Sequence, residues 1–342
     1  MATQRTHSPL AAPPSSSAGV WPITFDDVSA ARERITPFLA PTPLRNYPQL
    51  DALVGHGMTL FVKHENHQPT NSFKIRNGLS FMTGLDPSQR GRGVVGASTG
   101  NHGQGIAAGG RAVGVSVVVC VPEGNNPEKN AAMRALGARV VEEGHDYDAA
   151  VVVMNRIAAN EGRVVAHSTN HPHVVAGAGT MTLEILEQEP RIDALVIAVG
   201  GGSQSVGAMT VARRLAPHLE VFGVQAAGAP AIHDSWHARE RKTTARADTF
   251  AEGVATRTSY DLTFPALLDG LAGFVTVTDA EIAESLRTIV STTHNLVEGA
   301  GAMGLAGTLK LRERLAGKRV GIVFCGGNID GATLRRVLAK EI

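Results

Sequence analysis

The feature that most restricts the fold of this chain is a rhythm. Short runs rich in Val and Ile alternate with longer segments rich in Ala, Leu and Glu, and glycine marks many of the junctions. Continuous apolar runs bounded by turn residues read as strands buried on both faces, and the longer segments read as the helices that cover them. The alternation predicts an α/β fold with parallel sheets flanked by helices. Strands are predicted at 59–63, 93–97, 116–121, 139–141, 163–166, 194–199, 220–224 and 319–324. Helices are predicted at 24–34, 72–85, 102–113, 127–136, 147–160, 178–188, 202–215, 279–291, 300–316 and 331–340.

No repeat or low-complexity linker divides the 342 residues, so topology must set the domain limits. Length favours about two domains. Residues 88–166 hold four strand-and-helix units and read as a small domain, with 20–87 and 167–342 joining into a larger one. The cleft between them, at the carboxyl ends of the strands, is where open α/β sheets bind ligands. Residues 1–19 are rich in Ala, Pro and Ser, lack the apolar block of a secretory signal, and read as a disordered lead-in.

Basic and acidic residues nearly balance, 32 against 31, which leaves no footprint for nucleic acid or an anionic membrane. Apolar runs such as 115–121 and 194–199 fall short of the about 20 residues that a membrane span needs. The expected partner is a small molecule. Two cysteines, Cys120 and Cys325, each inside an apolar run, supply no disulfide framework and point to a reducing, cytoplasmic compartment.

Three glycine-bearing turns follow predicted strands and precede helices: 98–103 (Ser-Thr-Gly-Asn-His-Gly), 200–203 (Gly-Gly-Gly-Ser) and 325–328 (Cys-Gly-Gly-Asn). Each brings unsatisfied N–H donors and the positive end of a helix to one place, a ready anion site. A structural turn needs one glycine, and each extra one costs roughly 0.5–1 kcal/mol in chain entropy, so the triple glycine reads as a phosphate cradle. It is not a Walker loop, since no Lys-Ser/Thr follows, and the dinucleotide pattern of a nicotinamide oxidoreductase is met only out of register. Upstream, a polar loop leads through Ser72, a plausible N-cap, to Lys74, which alone would read as an ordinary solvated lysine.

Taken in order, Ser72-Phe73-Lys74-Ile75-Arg76, Ser98 to Gln104, the glycine turn at 200, Glu298 to Ala302 and Cys325 to Asp330 change that reading. From about Val62 to Asp330 the chain resembles the threonine/serine dehydratase family of fold-type II enzymes dependent on pyridoxal 5'-phosphate (PLP), a family that includes serine racemase. The resemblance implies a tryptophan synthase β-like architecture: two open twisted sheets flanked by helices, with the active site between domains. It implies a lyase that removes water and then ammonia from threonine, serine or a related 3-hydroxy amino acid, leaving a 2-keto acid. It also implies a homodimer or homotetramer.

The resemblance places the Schiff-base lysine at Lys74, with Phe73 beside the cofactor ring and Asn101 on the ring hydroxyl. Gly200, Gly201, Gly202, Ser203 and Gln204 would hold the phosphate, and Cys325 would face the ring nitrogen. The main chain of Ser98, Thr99, Gly100, Asn101 and His102 would grip the substrate carboxylate. A neutral thiol does not protonate the ring, which favours elimination over reactions that need a long-lived carbanion. Glu298 admits two readings, a helix-start carboxylate or a group near the ring.

Several departures bear on specificity. Ser203 replaces the fourth phosphate-loop glycine, and Asn77-Gly78 replaces the usual Gly-Ala. Thr99 stands where the racemase carries the serine that protonates the opposite face, so it keeps a catalytic hydroxyl on a stiffer side chain. Racemisation and β-substitution are thus alternative outcomes. A specialised substrate such as 3-hydroxyaspartate, phenylserine or an intermediate of hydroxyectoine breakdown is another. Residues 224–231 lack the carboxylates of the racemase cation site, so no metal is expected. The sequence ends at Ile342, from which no isoleucine-regulated domain is expected. His167, His171 and His173 fit no closed zinc pattern and read as a polar loop bordering the cleft, with His167 within reach of substrate. The charged run 233–242 reads as a solvated face or a dimer edge.

Overall fold

Parallel strands with both faces covered need apolar side chains on both, and the Val-rich runs supply them. A computed structural model describes residues 19–342, and the lead-in expected at 1–19 lies, up to residue 18, outside the described residues. In chain order the elements are α1 (Phe25–Ile35), β1 (Leu44–Asn46), α2 (Pro48–Val54), β2 (Thr59–Lys63), α3 (Lys74–Gly84), α4 (Pro87–Arg92), β3 (Val94–Ala97), α5 (Asn101–Val113) and β4 (Val117–Val121). Next come α6 (Pro127–Ala135), β5 (Arg139–Glu142), α7 (Tyr147–Glu161), β6 (Val164–Val165), α8 (Pro172–Gln188), β7 (Ala194–Ala198), α9 (Ser203–Leu215) and β8 (Glu220–Ala226). The chain closes with α10 (Ala231–Ala238), α11 (Phe264–Gly270), β9 (Gly273–Val277), α12 (Asp279–Thr293), α13 (Gly299–Lys310), β10 (Arg319–Val323) and α14 (Gly331–Leu338).

The strands form two sheets. One has the order β1-β2-β10-β7-β8-β9, parallel except for the β1 edge, and the other is the all-parallel β5-β4-β3-β6. All five residues of β4 are buried, as are those of β3, so the small sheet is covered on both faces. In the large sheet Lys63 pairs with Val323, which brings the segments that follow β2 and β10 out of the same edge, side by side. The turns after β3, β7 and β10 all open on one cleft.

All eight predicted strands are present, within a residue or two at their ends. Two edge strands were missed: β1 is only three residues long, and β9 begins on Gly273 and is partly exposed, so neither makes an apolar run. The short helices α2, α4, α10 and α11 were missed as well, and α13 stops at Lys310. An equal correction is at α8, which begins at Pro172 rather than 178. His171 caps it, its Nδ1 accepting from His173 N at 3.2 Å, and Pro172 sits in the first turn, where its missing N–H is harmless. Gly177 falls in the part of α8 that was missed, and Gly179 in the part that was predicted. A Cβ on Gly177 would lie 2.6 Å from the Arg76 carbonyl oxygen, and one on Gly179 2.9 Å from a Val28 methyl of α1, so both positions are tightly packed.

Candidate active site

Lys74 is the first residue of α3, and the chain leading to it is laced to the turn after β10. Phe73 N donates to Cys325 O at 3.0 Å, Gly327 N to Asn71 O at 2.8 Å, and Ser72 bridges Gly326. Ser72 is not the N-cap: that extended pairing keeps it out of the helix, Phe73 occupies the cap position, and the Ser72 hydroxyl is buried without a partner among the described residues. The Lys74 amine lies 4.9 Å from the centre of the Phe73 ring and 3.5 Å from the Ser168 carbonyl oxygen. Burial lowers its pKa to about 8, against the pull of Cys325 and Glu298. Burial, reinforced by Glu298, pushes the Cys325 thiol up, so it stays neutral at pH 7.

Behind Lys74, Arg76 anchors α3 in a buried ion network. Its guanidinium donates to both oxygens of Glu65 at 2.8 and 2.9 Å and to both oxygens of Glu184 at 2.7 Å. Lys63 and the less buried Arg32 add a second and a third cation on Glu184, each at 2.7 Å. Fully buried charges persist only when paired this completely. Position 77 on the same helix carries a buried amide with neither end partnered among the described residues, and the structure gives no reason for it.

The turn at 98–103 is built around one hydroxyl. Ser98 Oγ accepts from Gly100 N at 3.2 Å and Gly103 N at 2.9 Å, while Ser98 N donates to Cys120 O. Ser98 is therefore committed to shaping the turn, and the N–H groups of Thr99, Asn101 and His102 are those without an acceptor among the described residues. The His102 ring is buried and shares a hydrogen bond with the Ala166 carbonyl at 2.9 Å, and burial lowers its pKa to about 3. It is a neutral structural ring, so only its main chain can serve an anion. Asn101 Nδ2 donates to Glu298 Oε1 at 2.7 Å, and Asn101 Oδ1 accepts from Asn328 Nδ2 at 2.7 Å. Glu298 thus occupies the N-cap position of α13 but turns its carboxylate to Asn101 rather than to the helix end. Burial raises its pKa, with Lys129 and the Asn101 amide opposing.

The glycines at 200–202 need a revised account. A Cβ on Gly200 would sit 2.6 Å from Gly253 O, one on Gly201 1.9 Å from Thr169 Oγ1, and Gly202 has φ +89°. Each is required by its own surroundings, so the triplet is no surplus that only a ligand explains. What the turn offers a ligand is its donors: the N–H groups of Gly200 to Ser205 have no acceptor among the described residues, at the start of α9. Gln204 contributes through its main chain, its buried side chain lying 3.9 Å from Met181 Sδ.

These turns line a cleft of about 1480 Å³. Its far wall is the stretch 243–258, which sequence reading missed because it has no periodicity. Two ion pairs cross from the small-sheet side to that stretch, Lys129 to Glu252 and Asp148 to Arg257. Asn125 and Lys129 follow β4, and the strand-end rule could have found them. The Ser168 carbonyl left no signal, and Asn328 lay in a quoted motif without a role.

His167 is not among the residues that line the cleft, although burial and the Lys74 charge both lower its pKa. Its Nδ1 accepts from Thr169 N at 3.0 Å and Asn170 N at 2.9 Å, which spends it on a turn, and its ring packs on Tyr260. Within 224–231, Gln225 is buried and caps α10 by accepting from Ile232 and His233 N. Among the described residues no group of three or more His, Cys, Asp or Glu could hold a metal ion, and no helix is long and apolar enough to cross a membrane.

The arrangement can hold a phosphate-sized anion on one turn, a carboxylate on a second, and a reactive amine between them. A family model described as pyridoxal-phosphate dependent enzyme matches residues 35–326. The chain is 34% identical over 320 residues to the L-threonine ammonia-lyase of Thermotoga maritima, covering 94% of this chain and 79% of the relative. It is also 34% identical to the L-threo-3-hydroxyaspartate ammonia-lyase of a Pseudomonas species, covering 90% of this chain and 96% of the relative. The structure of maize serine racemase superposes with a TM-score of 0.88 at 28% identity, covering 94% of this chain and 98% of the maize protein.

Proposed function

The chain belongs to the pyridoxal-phosphate dependent enzyme family, and from that premise we propose that it is an ammonia-lyase converting a 3-hydroxy amino acid, threonine, serine or a close relative, to a 2-keto acid and ammonia. The residues present fit the cofactor. The N–H groups of Gly200 to Ser205 are unspent, the Ser205 hydroxyl is buried without a partner among the described residues, and a lysine amine with a pKa near 8 sits beside a neutral thiol. On this reading Gly200, Gly201, Gly202, Ser203 and Gln204 hold the phosphate, Lys74 holds the aldehyde carbon, Phe73 and Cys325 flank the ring, and Asn101 takes the ring hydroxyl.

PLP, when bound, supplies the electron sink that lets the Cα–H bond and then the Cβ–O bond break. The protein supplies the rest. The N–H groups of Thr99, Asn101 and His102 hold the substrate carboxylate at the positive end of α5 and so fix which bond meets Lys74. The Lys74 amine, once free, takes the Cα proton on Nζ. A pKa near 8 leaves about a tenth of it uncharged at pH 7, against less than a thousandth for an ordinary lysine. Cys325 keeps a neutral group where a carboxylate would hold a proton.

The position of Lys74, partly buried where three strand-end turns converge, is the observation that carries this reading. The test is ammonia and keto-acid release from a panel of 3-hydroxy amino acids, 3-hydroxyaspartate and phenylserine included. Absence of release from every member, or full turnover by Lys74→Ala, would overturn it. A second reading is racemisation, favoured by the likeness to maize serine racemase and by Thr99, a hydroxyl residue of the cleft wall. Chiral analysis of the residual substrate separates the two.

The large domain is taken as 20–87 with 167–342 and the small one as 88–166. The enzyme is taken as a cytoplasmic homodimer or homotetramer without a metal, to be checked by light scattering and by metal analysis of the purified protein.

A further inference from the structure

Asn101 opens α5 on the small-sheet side of the cleft, and residues of the large-sheet side take both ends of its amide. Glu298 receives its N–H, and Asn328 Nδ2 donates to its carbonyl. Asn328 is tethered in turn. The same Nδ2 donates to Thr70 O at 2.9 Å, and its Oδ1 faces Asn71 Nδ2 at 3.4 Å.

The far end of this chain fixes its polarity. A main-chain carbonyl can only accept, at any pH, so Thr70 requires the NH2 end of Asn328. That end has two hydrogens, and the second meets Asn101, which must then present its oxygen. The NH2 end of Asn101 is thereby turned toward Glu298. Glu298 uses one of its two hydrogens and leaves the other for a ligand oxygen. A flipped Asn101 would instead set its carbonyl against the Glu298 carboxylate and offer a ligand no donor.

We propose that Asn328 is a positioning residue that sets the direction of the Asn101 amide across the cleft, so that an N–H rather than a carbonyl faces the cofactor's ring hydroxyl. This rests on reading the chain as a PLP enzyme with Asn101 at that hydroxyl. The turn's glycines serve the same geometry, since a Cβ on Gly326 would lie 2.5 Å from Glu298 Oε1.

The test is spectrophotometric titration of the PLP-depleted enzyme with PLP, without turnover, across a double-mutant cycle. In the native background Asn328→Ala weakens PLP binding about tenfold, the loss of one charge-free hydrogen bond's orienting effect, and shifts the visible band of the bound cofactor. In an Asn101→Ala background the same change has less than a twofold effect, because its only route is gone. Asn328→Asp keeps the shape and removes the donor, so it weakens binding at least as much as Asn328→Ala. Equal losses in both backgrounds, or an Asn328→Asp enzyme that binds PLP like the native one, would overturn the proposal. Should Asn328→Ala not fold, the isosteric variant decides alone. If the native protein takes up no PLP, it is the functional reading that fails.

Discussion

The main-chain N–H of Phe73 donates to the carbonyl oxygen of Cys325 at 3.0 Å, which ties the residue before the reactive amine to the residue proposed to face the ring nitrogen. The side chains at 74 and 325 are thus set relative to each other by backbone geometry, and side-chain chemistry at 325 can be changed without moving the amine.

Cys325→Ser keeps a neutral group there and is expected to retain activity within about an order of magnitude. Cys325→Asp places a carboxylate near Lys74 and should raise the amine's pKa by about 1–3 units. The rising limb of the pH–rate profile then moves to higher pH by at least one unit, which steady-state assays between pH 6 and about 10 will measure.

The native enzyme should gain turnover as pH rises through about 8, since the amine works in its uncharged form. The same shift has a sign for stability. Lys74 binds its proton more weakly folded than unfolded, so in the PLP-free protein it opposes folding below pH 8, and that opposition fades between pH 8 and 10.5. Lys74→Met is therefore expected to stabilise the PLP-free protein at pH 7 by roughly 1–3 kcal/mol, with the gain vanishing toward the upper end of that window. Urea unfolding at pH 7 and about 10.5 reads both.

Arg76→Ala strips the shared partner from Glu65 and Glu184 and leaves buried charge uncompensated. A loss of roughly 3–5 kcal/mol follows, seen as a lowered urea midpoint. Arg76→Lys should recover little, because a point-charge ammonium cannot reproduce the fork that meets two carboxylates.

Helices α3 and α5 touch backbone to backbone. A Cβ on Gly78 would lie 2.0 Å from Gly105 O, and one on Gly105 2.4 Å from Lys74 O. Gly78→Ala must force the helices apart, so a loss of about 2 kcal/mol or more and weaker PLP binding are expected, read by thermal unfolding and titration. Gly91→Ala is the control: nothing lies within 4 Å of its Cβ, and in α4 it should be neutral or gain up to about 1 kcal/mol.

The parts of the fold written in continuous apolar runs were legible in sequence: both sheets' interior strands, and with them the turns that hold Lys74, Asn101, Gly200 and Cys325. What escaped depends on partners distant in the chain. The first turn of α8 escaped because its cap, His171, and its Gly177, against the Arg76 carbonyl of α3, carry no apolar periodicity. Ser72 looked like a cap because its pairing with Gly326 has no local trace. Ser98 and His167 looked like ligand groups, yet the Ser98 N–H is spent on Cys120 O and the His167 Nδ1 on its own turn. The stretch 243–258 is irregular, and only the cleft it closes gives it meaning.

The position of β10 has a consequence for how the molecule is made. The strand nearest the carboxyl terminus lies in the middle of the large sheet, between β2 and β7. A nascent chain that has emerged only through α13 carries its lysine but has two unzipped strand edges and no partner for residues 70–73. Assembly must wait for the final segment to thread between elements made much earlier, a long-range closure of the kind that slows folding. The wall of the cleft that joins Lys74 to Cys325 is accordingly closed only once residues 319–328 are in place.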